Sequence, residues 1–576
     1  MRAVVPRWLF PAHATLILVL GFSATFLVSC GEGGAASSTG AAEAGSAEGA
    51  EPFGAGAVEL SPLEKGARRT AGPASPSEAA SSGDSGASEE PVTPVDLSPE
   101  PDELSALEQD VESIIADAIA AASGASGGKA TESNCAVAVM AVDVGSGEVM
   151  VRRLGDLPLV PASNLKLMTV AAGLAGLGPV GAFRSVFVAH GDIAGGTLDG
   201  DLVVRAGGDP LYRADGNGGL DPWLDDLRSS LTKAGIERVT GALVLDEGTW
   251  LDPGPGPQWP APSDHWQMYC ALSAGFTVNA GSFRATVTPQ SDRGAVDVVL
   301  RPRHHGLKRR GSVKLGKRNA VNVGANSGGV TVKGTIPASS RPLVTEFSAP
   351  DPVDLFGHAF VGGLRDRGVS IEGGFVRRRD VTESGALVHT ITTPILDVFR
   401  PILEDSHNSL ADQLFFALGA QTENAGTRAG GAAAVASALE KLGVPTDGLE
   451  QVDGSGLSKA NRTSAMQLVG LVAALVKTGG RTAEVFLDAL PVAGKTGSLS
   501  KRMRGTPAEG RVRAKTGWVQ GASALSGVAE TVDGRSVVFS ILVGYPRLSG
   551  LNTKAWKPMQ DRLCEALVLW RRGASR

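Results

Sequence analysis

An α+β protein, one discontinuous domain interrupted by a mostly β insert, is the fold class that this sequence of 576 residues predicts. Three observations lead there. Helix-period and strand-like runs occur together over residues 103–180. The same two kinds of element return over residues 381–576. Between them, residues 181–380 carry short strand-like runs separated by Gly- and Pro-rich turns. Ends that supply matching elements around a different middle are most economically one domain with an insertion.

The length exceeds one ordinary domain and predicts two to four. A hydrophobic content of 42% is ample for real cores, and a net charge of −6 is small for this size. Composition therefore gives no general reason to expect nucleic acid as a partner.

The first segment reads as a leader. Arg2 and Arg7 give a positive start, a largely apolar run follows to Phe26, and then comes Leu27-Val28-Ser29-Cys30. Small or aliphatic residues before a single Cys resemble a bacterial lipobox, which implies a signal peptide over 1–29 and a lipid on Cys30. An ordinary secretory signal or a membrane anchor is the alternative. Either way the chain is expected to be exported to the cell envelope, and the lipid reading puts it on a membrane at its periplasmic face. Residues 30–102 are rich in Gly, Ala, Ser, Glu and Pro, and read as a disordered tether.

The body opens with a helix over Glu103–Ala122, where apolar residues recur at helical spacing. Cys135–Arg153 reads as two strands around Gly145-Ser146-Gly147. A mostly apolar helix follows, with Pro161 and Ser163 at its start and Gly178 at its end. Inside the insert, Arg301–Arg318 is strongly basic, either a solvated face or a contact for an anionic envelope polymer. Three helical runs return after about residue 390. Three strands then follow, with a hairpin turn at Asp533-Gly534, and a C-terminal helix closes the chain. Cys135, Cys270 and Cys564 permit at most one internal disulfide, with buried thiols as the other reading. Their spacing matches no zinc pattern and the eight His do not cluster with them, so neither metal nor cofactor is suggested.

Three short motifs carry chemistry. Ser163 and Lys166 are three apart at a helix start, so both side chains lie on one face. There a lysine amine, kept neutral by burial, can take the serine proton. Ser406-His407-Asn408 sets a hydroxyl and an amide two residues apart, arranged either to face a cleft or to cap a helix. Lys-Thr-Gly offers a cation and a hydroxyl side by side for a carboxylate, and it occurs twice. The copy Lys515-Thr516-Gly517 alternates as a strand with more strands behind it. The copy Lys495-Thr496-Gly497 runs into a basic stretch and is set aside as coincidence.

Ser-x-x-Lys, Ser-x-Asn and Lys-Thr-Gly in this order are the signature of serine enzymes that recognise penicillin. With the stretches around Pro161–Leu167, Leu198–Tyr212, Asp405–Leu414, Asp453–Arg462 and Gly521–Val528, residues 104–575 resemble the D-alanyl-D-alanine carboxypeptidase/endopeptidase family, the class C low-molecular-mass penicillin-binding proteins. The resemblance implies a β-lactamase/transpeptidase-like domain, an antiparallel sheet flanked by helices, whose insert forms two nested smaller domains. It implies Ser163 as nucleophile, Lys166 as general base and Ser406 as proton relay. Asn408, Lys515, Thr516 and Gly517 would bind substrate, and the backbone N–H groups of Ser163 and Trp518 would form the oxyanion hole. The expected partners are peptidoglycan peptides, β-lactam antibiotics and, through the N-terminal lipid, a membrane.

Two positions depart from the family pattern. His407 stands where Asp is usual, which removes a negative charge, and Trp518 replaces a Ser or Thr after Lys-Thr-Gly. Two rivals follow: a catalytically weak homologue that binds peptidoglycan or a partner enzyme, and a Ser-Lys esterase or β-lactamase.

Overall fold

The computed structural model describes residues 105–571 apart from 214–218, 252–253, 291, 380 and 382–383. The signal peptide, Cys30 and the tether lie outside the described residues. At the centre is a five-stranded antiparallel sheet in the order Val512–Val519, Ala522–Glu530, Ser536–Gly544, Ala136–Asp143, Val149–Arg153. The two ends of the chain meet in its middle, where Ala136 pairs with Gly544 and Asp143 with Val537.

Both faces of this sheet are covered, which is why its strands read as continuous apolar runs rather than as an alternation. Period two sorts Ala136–Asp143 cleanly. Val137, Val139 and Ala141 pack under the helices Ala106–Ala125 and Lys557–Leu569. Ala138, Met140 and Val142 face the opposite way, into a helical lobe. The first of those helices begins where Ser105 and Glu108 form a reciprocal capping box, and it buries a stripe running from Leu107 to Ala122.

The helical lobe holds Leu165–Leu177 at its heart, packed among Leu396–Leu403, Asn408–Thr422, Arg428–Lys441 and Ala465–Thr478. Burying this helix on all sides explains why its sequence is apolar around its whole circumference.

Residues 182–394 build three further sheets over one shared core. A seven-stranded mixed sheet contains Ala182–Ala194 paired with Thr197–Arg205. Its edge strand Ala386–Pro394 pairs back onto Ala182–Ala194, so strand pairing continues past residue 380. Three- and four-stranded sheets follow, and two helices, Asp221–Lys233 and Pro352–Arg365, lie among these strands. The segment Tyr269–Ala280 leaves this region to clamp the helix Asn408–Thr422. Gln413 Nε2 donates to the Ala274 carbonyl at 2.6 Å, and Ser409 Oγ to that of Ala280 at 2.5 Å.

Candidate active site

Ser163 sits in a short 3-10 turn, Ala162–Asn164, immediately before the helix that carries Lys166. Ala162 has φ of 46°, a left-handed conformation that costs a residue with a Cβ roughly 1–2 kcal/mol. Two glycines hold this turn from opposite sides. A Cβ on Gly456 would lie 1.8 Å from the Ala162 carbonyl oxygen, and one on Gly517 would lie 2.8 Å from that of Pro161. Asn164 Nδ2 donates to the Lys515 carbonyl at 2.9 Å, tying the turn to the edge strand of the central sheet.

Lys166 is fully buried, and its Nζ makes three contacts: Ser163 Oγ at 3.0 Å, Asn408 Oδ1 at 2.7 Å and the Ser455 carbonyl at 2.5 Å. The last two partners only accept. A neutral amine has two N–H groups and one lone pair, so satisfying both acceptors leaves the lone pair for Ser163. Burial pushes this amine below its ordinary pKa, against the pull of the Asp412 and Asp453 carboxylates.

Those carboxyls are themselves buried, and burial raises both. Asp412 accepts from Gly454 N at 2.9 Å and Ser455 Oγ at 3.2 Å. Asp453 accepts from the N–H groups of Gly456 and Ser458 at 2.8 Å. Together they shape the loop whose Ser455 carbonyl reaches Lys166.

In the second motif the helix cap is His407, neither Ser406 nor Asn408. Its Nδ1 accepts from Leu410 N at 3.3 Å, which places the ring proton on Nε2. Burial and the neighbouring Lys166 lower its pKa to about 3, so the ring is neutral. With capping assigned to His407, the flanking side chains are free to turn inward. Asn408 takes Lys166 through Oδ1 and donates through Nδ2 to the Tyr269 carbonyl at 2.9 Å. Ser406, at φ of 64°, accepts from Lys515 Nζ at 2.8 Å.

Lys515 is fully buried in the edge strand, lowered well below the usual lysine range by burial and by the charge of Lys166. Alternation puts Lys515 and Gly517 toward the nucleophile turn, while Thr516 and Trp518 share the other face with Val512 and Ala514. Trp518 is 54% exposed. Burial raises the Tyr545 hydroxyl to about 12, with Trp518 acting against that rise. Thr516 Oγ1 donates to Ser498 Oγ at 2.8 Å.

All three motifs thus meet at one place. Residues 128–565 match the D-Ala-D-Ala carboxypeptidase 3 (S13) family. The chain belongs to this family. A D-alanyl-D-alanine carboxypeptidase of an Actinomadura species is 32% identical over 462 residues, spanning 76% of this chain and 81% of that protein. The crystal structure of penicillin-binding protein 4 (dacB) from Haemophilus influenzae aligns with a TM-score of 0.62 at 23% identity, over 75% of this chain and 96% of that one. The same Haemophilus protein complexed with a β-lactam aligns at 0.59 and 22%, over 75% and 95%. These likenesses show the fold: α+β, of the penicillin-binding transpeptidase kind, with mixed sheets and flanking helices. S13 membership makes this a protein of the carboxypeptidase/endopeptidase class.

Sequence reasoning missed Asn164, Asp412, Asp453, Ser455 and Ser498. Asp412 lies four residues after Asn408 on one helix, a spacing that puts both on the face toward Lys166 and was open to discovery. Ser498 directly follows the Lys-Thr-Gly copy that had been set aside, and only the tertiary structure brings it to Thr516.

Proposed function

We propose that this protein is a serine-type D-alanyl-D-alanine carboxypeptidase/endopeptidase that works on peptidoglycan peptides through an acyl-enzyme on Ser163 and is acylated by penicillins. The observation that carries this reading is the Lys166 amine, whose two acceptor-only partners leave its lone pair for Ser163 Oγ 3.0 Å away.

Ser163 Oγ attacks the carbonyl carbon between the two D-alanines, and its proton passes to Lys166. The backbone N–H groups of Ser163 and Trp518 receive the oxyanion, where each such donor is worth roughly 3 kcal/mol. Ser406 relays that proton from Lys166 to the leaving amine as the C–N bond breaks, which returns Lys166 to its neutral form, and Lys515 holds the Ser406 hydroxyl in place. Lys515 and Thr516 take the terminal carboxylate, and that anion restores the charge that burial disfavours on Lys515. Neutral Lys166 then deprotonates the water that attacks the ester, and gives that proton to Ser163 Oγ as the ester C–O bond breaks. The His407 departure leaves this geometry standing, because a neutral ring caps the helix as a carboxylate would.

Export and a lipid on Cys30 belong to the same proposal. Among the described residues no helix is long and apolar enough to cross a membrane.

The test is intact-protein mass after incubation with a penicillin, for the wild type and for Ser163→Ala. One adduct in the wild type and none in the variant is the expected result. No adduct on folded wild-type protein would leave the binding homologue standing, and rapid loss of the adduct would point to a β-lactamase.

A further inference from the structure

Residues 298–345 contain ten Lys and Arg and no Asp or Glu, within a chain of net charge −6. Most of this stretch folds into the four-stranded sheet built from Arg309–Arg310, Val313–Leu315, Asn322–Asn326 and Gly329–Ile336. One face of the sheet is core, with Val313, Val323, Val330, Val332 and Ile336 buried.

The strand period then presents Thr331, Lys333 and Thr335 on the other face. Parallel register sets Arg310 beside Thr331 and Lys314 beside Thr335. Arg310, Lys333 and Lys314, all exposed, therefore mark three successive outward levels along the strand direction, Lys333 on the central strand and the other two on the strands beside it. Two residues of strand advance about 7 Å, so the positive charges step along the strand axis at that interval, staggered between neighbouring strands. The backbone of Arg318, also exposed, lies beside the last of these levels, where the Thr335 hydroxyl donates to its carbonyl at 2.9 Å.

These cations have no acidic partners. Among the described residues no ion pair joins Arg309, Arg310, Lys314, Lys317, Arg318 or Lys333 to a carboxylate. Elsewhere over the same shared core several arginines are paired: Arg284 with Glu346, Arg367 with Asp221 and Asp225, Arg377 with Glu247 and Asp351. A surface shaped for solubility alone intersperses both signs, whereas a single-sign row repels itself in the free protein.

We propose that this face binds a linear envelope polymer whose phosphodiester groups repeat along an extended backbone. The roughly 7 Å repeat of cations suits an extended chain with one phosphate per short polyol unit. Side chains between the cations are Thr331, Thr335 and Asn322, which offer hydroxyl and amide groups to a polyol. Arg310, Lys314 and Lys333 take no part in the proposed reaction, so the inference can be tested independently of it.

The test uses the full chain carrying Cys30→Ser, so that no lipid contributes. Binding is measured to poly(glycerol phosphate), to single-stranded DNA of equal charge and to anionic phospholipid vesicles, each over a series of salt concentrations. The expected result is salt-sensitive binding to poly(glycerol phosphate), tighter than to DNA. It should be weakened at least ten-fold by the triple substitution Arg310→Ser, Lys314→Ser, Lys333→Ser. Acylation of Ser163 by a penicillin should be unchanged in that variant, which shows that it is folded. Equal binding by the triple variant, preference for DNA, binding to vesicles alone, or no binding would each overturn the proposal.

Discussion

Lys495-Thr496-Gly497 and Lys515-Thr516-Gly517 are the same three residues in two settings. The first lies in turns that end in a 3-10 segment, Gly497–Leu499. Its lysine is more than half exposed and pairs with Glu509 at 2.7 Å. The second lies on a strand, with its lysine fully buried between Ser406 and the charge of Lys166. A lysine in water is already satisfied and has little left to give a ligand. One held in a low-dielectric site gains strongly from an arriving carboxylate. Burial and neighbours therefore separate the two copies where composition does not.

The sharpest test exchanges the two lysines for alanine one at a time. Lys515→Ala should slow penicillin acylation about 100-fold, the loss of charge-assisted bonds of roughly 3 kcal/mol. Lys495→Ala should leave both acylation and melting temperature unchanged, because an exposed pair contributes little. Comparable losses in stopped-flow acylation would break the contrast and return the first copy to the site.

Glycine gives a second contrast, of smaller size. Gly517→Ala forces a methyl against Pro161 O and Asn164 Nδ2, at 2.8 and 2.9 Å, so the nucleophile turn has to shift. Acylation should fall more than ten-fold, with a stability loss of about 1–3 kcal/mol seen in denaturant melts. Gly505, at φ of 70° in the turns that follow the first copy, has nothing within 4 Å of a built Cβ. Gly505→Ala should therefore cost only backbone strain and leave acylation untouched.

Burial also sets the pH response around Lys166. The active form is the neutral amine, so the acylation rate should rise with pH as Lys166 loses its proton. Asp412 and Asp453 favour the charged form, whereas Lys515 disfavours it and His407 is already neutral. Removing one carboxylate lowers the Lys166 pKa, so Asp412→Asn should move the rising limb to lower pH. The amide oxygen can still accept from Gly454 N, and the amide nitrogen can donate to Ser455 Oγ, so a role confined to holding the loop predicts an unmoved limb. The pH profile of acylation distinguishes the two.

The same physics explains what the sequence made legible. Helices and strands of the body were readable because their apolar periods report burial directly. Ala136–Asp143 and Leu165–Leu177 are examples, although Ser163 proved to sit in a 3-10 turn just ahead of its helix. The three motifs were readable because each packs its chemistry into three or four residues. Asp453 was not, because its role is to accept backbone N–H groups of a loop that touches Lys166 from 287 positions away in the chain, and no local pattern encodes that reach. The function of His407 was also hidden. Only the cap geometry shows why a neutral ring can stand where a carboxylate is usual.

Ser498 is where the two copies touch, and it should give the smallest effect. Thr516 Oγ1 now donates to Ser498 Oγ at 2.8 Å, which points its proton away from a ligand. To donate to a substrate carboxylate, Thr516 must turn its proton outward, and a hydroxyl partner can then reverse and donate in return. Ser498→Ala removes that return donor while leaving Lys515 in place. The loss of one neutral hydrogen bond is about 1 kcal/mol, so KM for a carboxylate-terminated peptide should rise roughly five-fold at nearly constant kcat. A loss as large as that of Lys515→Ala would mean that Ser498 contacts the substrate itself. No change at all would mean that Thr516 grips the carboxylate unaided.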